Sequence, residues 1–297
     1  MENVLTLIAG PKAGLTDAMV ADIRQGLKAL GAHVAAAKWL SPGRACDLAF
    51  GDLAPEQADA AARRRLGKVA VDVVAQPAQG RRKLLLVADM DSTMVVGETL
   101  DELADYAGIK DRIAAITARA MNGEIGFEDA LQERIGLMAG LPESALADTW
   151  AKTRLMPGAR TLVQTMKANG AYAVLVSGGF TYFTTRVREA CGFDIDLGNR
   201  FIFTDGKLAG VEAPILGREA KLATLIGTAG ERKIPLVLAA AVGDGANDLA
   251  MIKAAGLGVA YQAKPVVAAE ARVRIDHGDL TALLYAQGYG DDDMVAG

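Results

Sequence analysis

Two aspartates one residue apart, Asp89 and Asp91, follow the apolar run Leu84-Leu85-Leu86-Val87-Ala88. A carboxylate at such a position can attack phosphorus covalently, and a second can lend a proton to a departing alcohol. The pair therefore suits phosphoryl transfer through an aspartyl-phosphate. Downstream, Ser177-Gly178-Gly179 offers backbone N–H groups and a hydroxyl to phosphate oxygens. Gly243-Asp244-Gly245-Ala246-Asn247-Asp248 sets three oxygen-bearing side chains in a glycine-rich turn. Carboxylates gathered at one place repel one another unless a hard, oxygen-seeking cation joins them. A solvated acidic turn would explain either aspartate segment alone, and a strand-to-helix turn wants the glycines of Ser177-Gly178-Gly179 anyway; the combination argues for chemistry.

Their positions follow from the elements around them. The run ending at Ala88 is short enough for a strand buried on both faces, as in a parallel sheet. Asp89 then stands at the carboxyl end of that strand, where open α/β sheets bind their ligands. Tyr172 to Val176 reads as a second strand ending at Ser177, and Leu236 to Val242 as a third ending at Gly243. The segment between the first two strands is too long for one crossover helix. It reads as four helices, Glu98 to Ala107, Asp111 to Met121, Phe127 to Met138 and Pro142 to Lys152, which would form a lid over residues 96–154. A core helix opens at Pro157-Gly158 and closes at Asn169-Gly170. Asp205-Gly206 marks a tight hairpin, Gly217 to Ile226 a helix, and Leu257 to Tyr261 a last strand. The expected fold is α/β, a doubly wound parallel sheet with an α-helical cap insertion.

Residues 1–79 read differently, as strand, helix, two strands, helix, strand: Val4 to Ile8, Asp17 to Leu30, His33 to Trp39, Asp47 to Phe50, Pro55 to Leu66 and Val69 to Val74. The linker Gln76-Pro77-Ala78-Gln79-Gly80 marks the boundary with residues 80–297. The element order resembles the small α+β ferredoxin-like fold of ACT domains. A plain packing or dimerisation module would share it, so a homodimer through this unit is one expectation.

With 297 residues, 51% of them hydrophobic, the chain has core enough for two domains. A formal net charge of −4 with scattered basic residues argues against nucleic acid and anionic membranes, and for a small soluble substrate. Cys46 and Cys191 are far apart and form no metal-ligand spacing, and His33 and His277 are too few for a histidine metal centre. The opening Met1-Glu2-Asn3-Val4 lacks the pattern of a signal peptide and no apolar run reaches membrane-spanning length, so a cytoplasmic location is expected.

Further candidates sit on the helices. A cation must meet the phosphoryl group, and the segment Gly217 to Ile226 offers both Arg218 and Lys221. Arg134 projects from an apolar stripe of Ala130, Leu131, Leu137 and Met138, and a guanidinium buried there needs an anionic partner. That partner is either a structural carboxylate or a substrate carboxylate, which arginine reads well. Glu98 starts its helix beside Asp101 and Glu102, where acids offset the helix dipole.

Asp89-Met90-Asp91-Ser92-Thr93 resembles the DxDST signature of the haloacid dehalogenase superfamily, in its phosphoserine phosphatase branch. Ser177-Gly178, a lysine before the last catalytic strand, and the GDGxND pattern of Gly243 to Asp248 follow in the family's order. The resemblance covers roughly residues 84–262. It implies that Asp89 is the nucleophile and Asp91 the acid and base. It implies that Ser177, Gly178 and Lys221 hold the phosphoryl group, and that Asn247 touches substrate. Mg²⁺ would sit on Asp89, Asp244 and the main-chain carbonyl of Asp91, with Asp248 supporting. Met121-Asn122-Gly123-Glu124-Ile125-Gly126-Phe127 with Arg134 is similar to the lid of that branch, where the arginine holds the serine carboxylate. Glu98 matches the glutamate that reads the ammonium, and Phe127 would pack beside the substrate. The implied activity is hydrolysis of O-phosphoserine to serine and phosphate, a step of serine biosynthesis. Phosphotransfer, hydrolysis of another small phosphomonoester, and a non-catalytic amino acid sensor are the rival expectations.

Overall fold

The computed structural model describes residues 1–121 and 124–296. Its first unit runs β1 (Asn3–Ala9), α1 (Asp17–Ala29), β2 (His33–Val34), β3 (Lys38–Ser41), β4 (Ala45–Gly51), α2 (Pro55–Leu66) and β5 (Val71–Pro77). The antiparallel sheet has the order β2-β4-β1-β5, with β3 also pairing to β4. The expected single strand His33 to Trp39 is thus two short strands, both paired to β4. The strand β5 also continues through Gln76 and Pro77, residues expected in the linker. Thr16 caps α1 by accepting from the Met19 amide, and Pro55 opens α2 where a missing N–H is harmless. Alternation along β1, β4 and β5 sends Leu5, Leu7, Cys46, Leu48, Phe50, Val71 and Val73 under α1 and α2.

The opposite face of this sheet is partly covered by the rest of the chain. Ile8, Leu40, Ala45 and Val74 join a core that contains Tyr285 and Tyr289 near the C-terminus of the chain. Asp72 on β5 is fully buried and accepts from the backbone N–H groups of Asp276, His277 and Gly278 at 2.7 to 3.2 Å. Burial raises its carboxyl above the ordinary range, against those hydrogen bonds.

The second unit is built on β6 (Leu85–Ala88). Four cap helices follow: α3 (Thr99–Tyr106), α4 (Lys110–Met121), α5 (Phe127–Leu137) and α6 (Ser144–Lys152). Next come α7 (Ala159–Ala168), β7 (Tyr172–Phe180), α8 (Thr181–Cys191), β8 (Ile195–Asn199) and the hairpin β9 (Phe201–Thr204) with β10 (Lys207–Val211). The chain closes with α9 (Glu219–Glu231), β11 (Ala239–Gly243), α10 (Leu249–Ala254), β12 (Leu257–Tyr261), α11 (Pro265–Glu270), β13 (Val273–Ile275) and α12 (Ala282–Ala286). The sheet order is β13-β12-β11-β6-β7-β8, with every pairing parallel. All four residues of β6 are buried, as a strand covered by helices on both faces requires. At the hairpin, Asp205 and Gly206 have φ of 51° and 70°, the mirror-image turn that tight hairpins favour.

Three differences from the sequence reading concern packing. Leu236 to Leu238 form a single 3₁₀ turn, and β11 begins only at Ala239. The edge strands β8 and β13 were not expected; both are short and partly polar. Ser177-Gly178-Gly179 lies inside β7, and the ladder to β8 breaks across it, from Val176 opposite Leu197 to Phe180 opposite Asn199.

Candidate active site

The site forms at the ends of the neighbouring strands β6 and β11, beside the Ser177-Gly178-Gly179 bulge of β7. Asp89, Asp91, Glu98, Phe127, Arg134, Ser177, Gly178, Asp244 and Asn247 line one cavity of about 130 Å³. Lys221 lies beneath it, only 2% exposed, with Nζ 2.8 Å from Asp89 Oδ1 and 2.5 Å from Asp248 Oδ1. Arg218, the other cation on this segment, is exposed. Burial opposes the charge on Lys221, but Asp89 and Asp248 outweigh it and raise its pKa.

The carboxylates are crowded. Oxygens of Asp89, Asp244 and Asp248 lie within 4.8 Å of one another. Burial first, then Asp89, pushes Asp248 up to about 7 and Asp244 up to about 6. One ammonium does not balance three such groups, and a hard divalent cation fits a pocket of carboxylate oxygens. Asp248 also anchors its own turn by accepting from the Gly245 amide at 2.9 Å. The carboxylate of Asp91 turns elsewhere.

Asp91 Oδ1 accepts from the amide of Thr99, the first residue of α3, at 2.8 Å, and Ser177 Oγ stands 3.4 Å from Oδ2. Burial, then Glu98, pushes Asp91 up to about 7, above the ordinary carboxylate range, which favours its protonated form. Asp91 is therefore tied to α3 by the first amide of that helix. Ser92, held at φ 55°, donates to Glu98 Oε1 at 2.9 Å and so restrains a carboxylate that lines the cavity. Met90, between the aspartates, is buried in the main core.

Arg134 arrives from α5. Its Nε donates to Ala130 O at 3.2 Å, while burial lowers its pKa against the pull of Asp101 and Glu98. Phe127, at the start of the same helix, rests over the strand-end loops. A Cβ added at Gly178 would lie 3.1 Å from its ring, so a side chain there would displace it. Of the lid segment singled out in the sequence, Asn122 and Gly123 lie outside the described residues.

Some residues at the site escaped the sequence reading. Lys264 lines the cavity from the loop after β12, and its amide donates to Asp244 O at 3.1 Å. Its address at a strand end was the available signal. Thr93 Oγ1 donates to Asp244 Oδ1 at 3.3 Å, joining the first and last motifs.

Residues 86–253 match the family model of haloacid dehalogenase-like hydrolases. A phosphoserine phosphatase of Streptomyces coelicolor is 41% identical over 77% of this chain and 56% of its own length. One from a Polaromonas species is 44% identical over 67% of this chain and 88% of its own length. The chain thus spans only 56 to 64% of the length of several curated relatives that it matches. Among solved structures, a probable phosphoserine phosphatase from Vibrio cholerae is 29% identical, with a TM-score of 0.79 over 98% of this chain and 88% of that one. The chain belongs to the haloacid dehalogenase-like hydrolases, in their phosphoserine phosphatase branch.

Proposed function

We propose that the protein is a Mg²⁺-dependent phosphoserine phosphatase, hydrolysing O-phosphoserine to serine and phosphate. The observation that carries this reading is the single cavity that joins Asp89, Asp91, Ser177 and Asp244 to Arg134 and Glu98. One end is fitted to a phosphoryl group and the other to an amino acid head group. Arg134 holds the substrate carboxylate and Glu98 the ammonium, with Phe127 packed beside them.

In the first step a carboxylate oxygen of Asp89 forms a bond to phosphorus as the bond from phosphorus to the serine oxygen breaks. Asp91 gives its proton to that oxygen, and serine leaves. Asp91, now a carboxylate, takes a proton from water, whose oxygen attacks phosphorus and releases Asp89 and inorganic phosphate. Lys221, Ser177 and Gly178 hold the phosphoryl oxygens, and Asn247 contacts the substrate. Asp89, Asp244 and the Asp91 main-chain carbonyl, with support from Asp248, would hold Mg²⁺, which would supply positive charge to offset that of the phosphoryl group.

The remaining expectations are part of the same proposal. Residues 1–79 form an ACT-like unit and 80–297 the phosphatase unit, with its cap at about 96–154; their largely separate apolar clusters support this division. A cytoplasmic setting, no nucleic-acid partner and a homodimer through the first unit complete it. Among the described residues no helix is long and apolar enough to cross a membrane.

The test is phosphate release across phosphoserine, phosphothreonine, sugar phosphates and an aryl phosphate, with Mg²⁺ and with chelator. Phosphoserine should lead, and chelation should stop turnover until Mg²⁺ is restored. A preferred sugar phosphate would overturn the substrate, and an inactive protein the enzymatic reading.

A further inference from the structure

We infer that Asn199 is a positioning residue for the phosphoryl cradle, acting through one peptide plane to set the hydrogen-bond direction of Ser177. The inference rests on the reading of Ser177 as a phosphoryl ligand. Asn199 ends β8 and is 3% exposed, so its amide must find partners within the protein. It lies beside the break in the β7–β8 ladder, where Ser177-Gly178-Gly179 bulges out of register. Backbone groups in such a bulge lose their ladder partners. The side chain of Asn199 supplies one.

Its Nδ2 donates to Gly178 O at 2.8 Å, fixing the carbonyl end of the Gly178–Gly179 peptide. That unit is planar, so the N–H at its other end is fixed as well. This N–H belongs to Gly179 and donates to Ser177 Oγ at 2.8 Å. With an acceptor site of the hydroxyl taken, its proton is directed toward the cavity, where Asp91 Oδ2 stands at 3.4 Å. A phosphoryl oxygen in that space would receive it. The other half of the amide works on a second loop. Asn199 Oδ1 accepts from the Leu216 amide at 2.7 Å, tying the bulge to the segment that leads into α9 and Lys221. Phe127 spans the same two loops: a Cβ added at Gly217 would be 3.9 Å from its ring. One buried amide thus sets the relative position of the Ser177 turn and the Lys221 helix.

The test is a double-mutant cycle between Asn199→Ala and Ser177→Ala, read on phosphoserine and on an aryl phosphate, with inorganic phosphate binding measured by calorimetry. Misplacing the cradle should lower kcat/KM on the order of 10- to 100-fold, equally on both substrates, and weaken phosphate binding. In the Ser177→Ala background the same substitution should cost markedly less than in the wild type, because its Ser177 target is gone while the tie to the Leu216 loop remains to be lost. If Asn199→Ala fails to fold, Asn199→Asp keeps the bond from Leu216 but not the donation to Gly178, and carries the same expectation. Fully additive losses, or unchanged phosphate affinity in a folded variant, would overturn the inference. Phosphate binding does not depend on turnover, so an inactive wild-type chain would count against the proposed function alone.

Discussion

Replacing Arg134 with alanine tests whether the protein reads an amino acid head group. The side chain lines the cavity from α5, and Nε is engaged by Ala130 O at 3.2 Å. Its terminal amino groups are the donors that would meet a carboxylate. A hydrogen bond between charged groups contributes about 1.5–3 kcal/mol. Two of them at the low end, suited to a half-buried side chain, sum to about 3 kcal/mol, or roughly a hundredfold in kcat/KM. An aryl phosphate has no carboxylate and should lose little. The ratio of kcat/KM for phosphoserine over that for the aryl phosphate should therefore fall about a hundredfold. Arg134→Lys keeps the charge but not the planar fork, and should fall between. Steady-state kinetics on both substrates with saturating Mg²⁺ provides the assay. Equal losses on the two would refute the argument, since they would mean that Arg134 merely holds the cap in place.

Lys221→Met should leave Asp89 and Asp248 buried without their shared ammonium. Chelator-treated protein should lose about 3–5 kcal/mol in denaturant unfolding, and turnover should be abolished. Asp72→Ala strips the acceptor from three backbone N–H groups at Asp276, His277 and Gly278, and should cost about 2–4 kcal/mol by the same unfolding measurement. Burial pushes Cys46 and Cys191 up to about 12, so neither is thiolate near neutral pH. Ellman's reagent at pH 8 should find no reactive thiol until denaturant is added; rapid labelling of native protein would contradict the burial of both.

The strand ends were legible because an apolar run too short for a helix and followed by acids has few other readings. Asp89 and Asp244 were therefore visible at their addresses without any coordinates. Arg134 was visible because a charge interrupted an apolar stripe. Lys221 was separable from Arg218 by pattern only through the family resemblance; in the fold the distinction is burial, with Arg218 exposed and Lys221 2% exposed. Asn199 gave no signal, because its importance comes from a register break between two strands far apart in sequence. Asp72 was equally silent: it sits in a strand that reads as ordinary, and its partners are main-chain groups about two hundred residues away. Hydrophobic periodicity reports local elements, whereas side chains that serve a distant backbone answer to tertiary geometry.

On the proposed mechanism Asp89 takes the phosphoryl group covalently. Rapid acid quenching of the protein with Mg²⁺ and ³²P-phosphoserine should trap one labelled peptide containing residues 89–91, and Asp89→Asn should abolish both label and turnover. Undiminished turnover by Asp89→Asn, or label on any other residue, would contradict it.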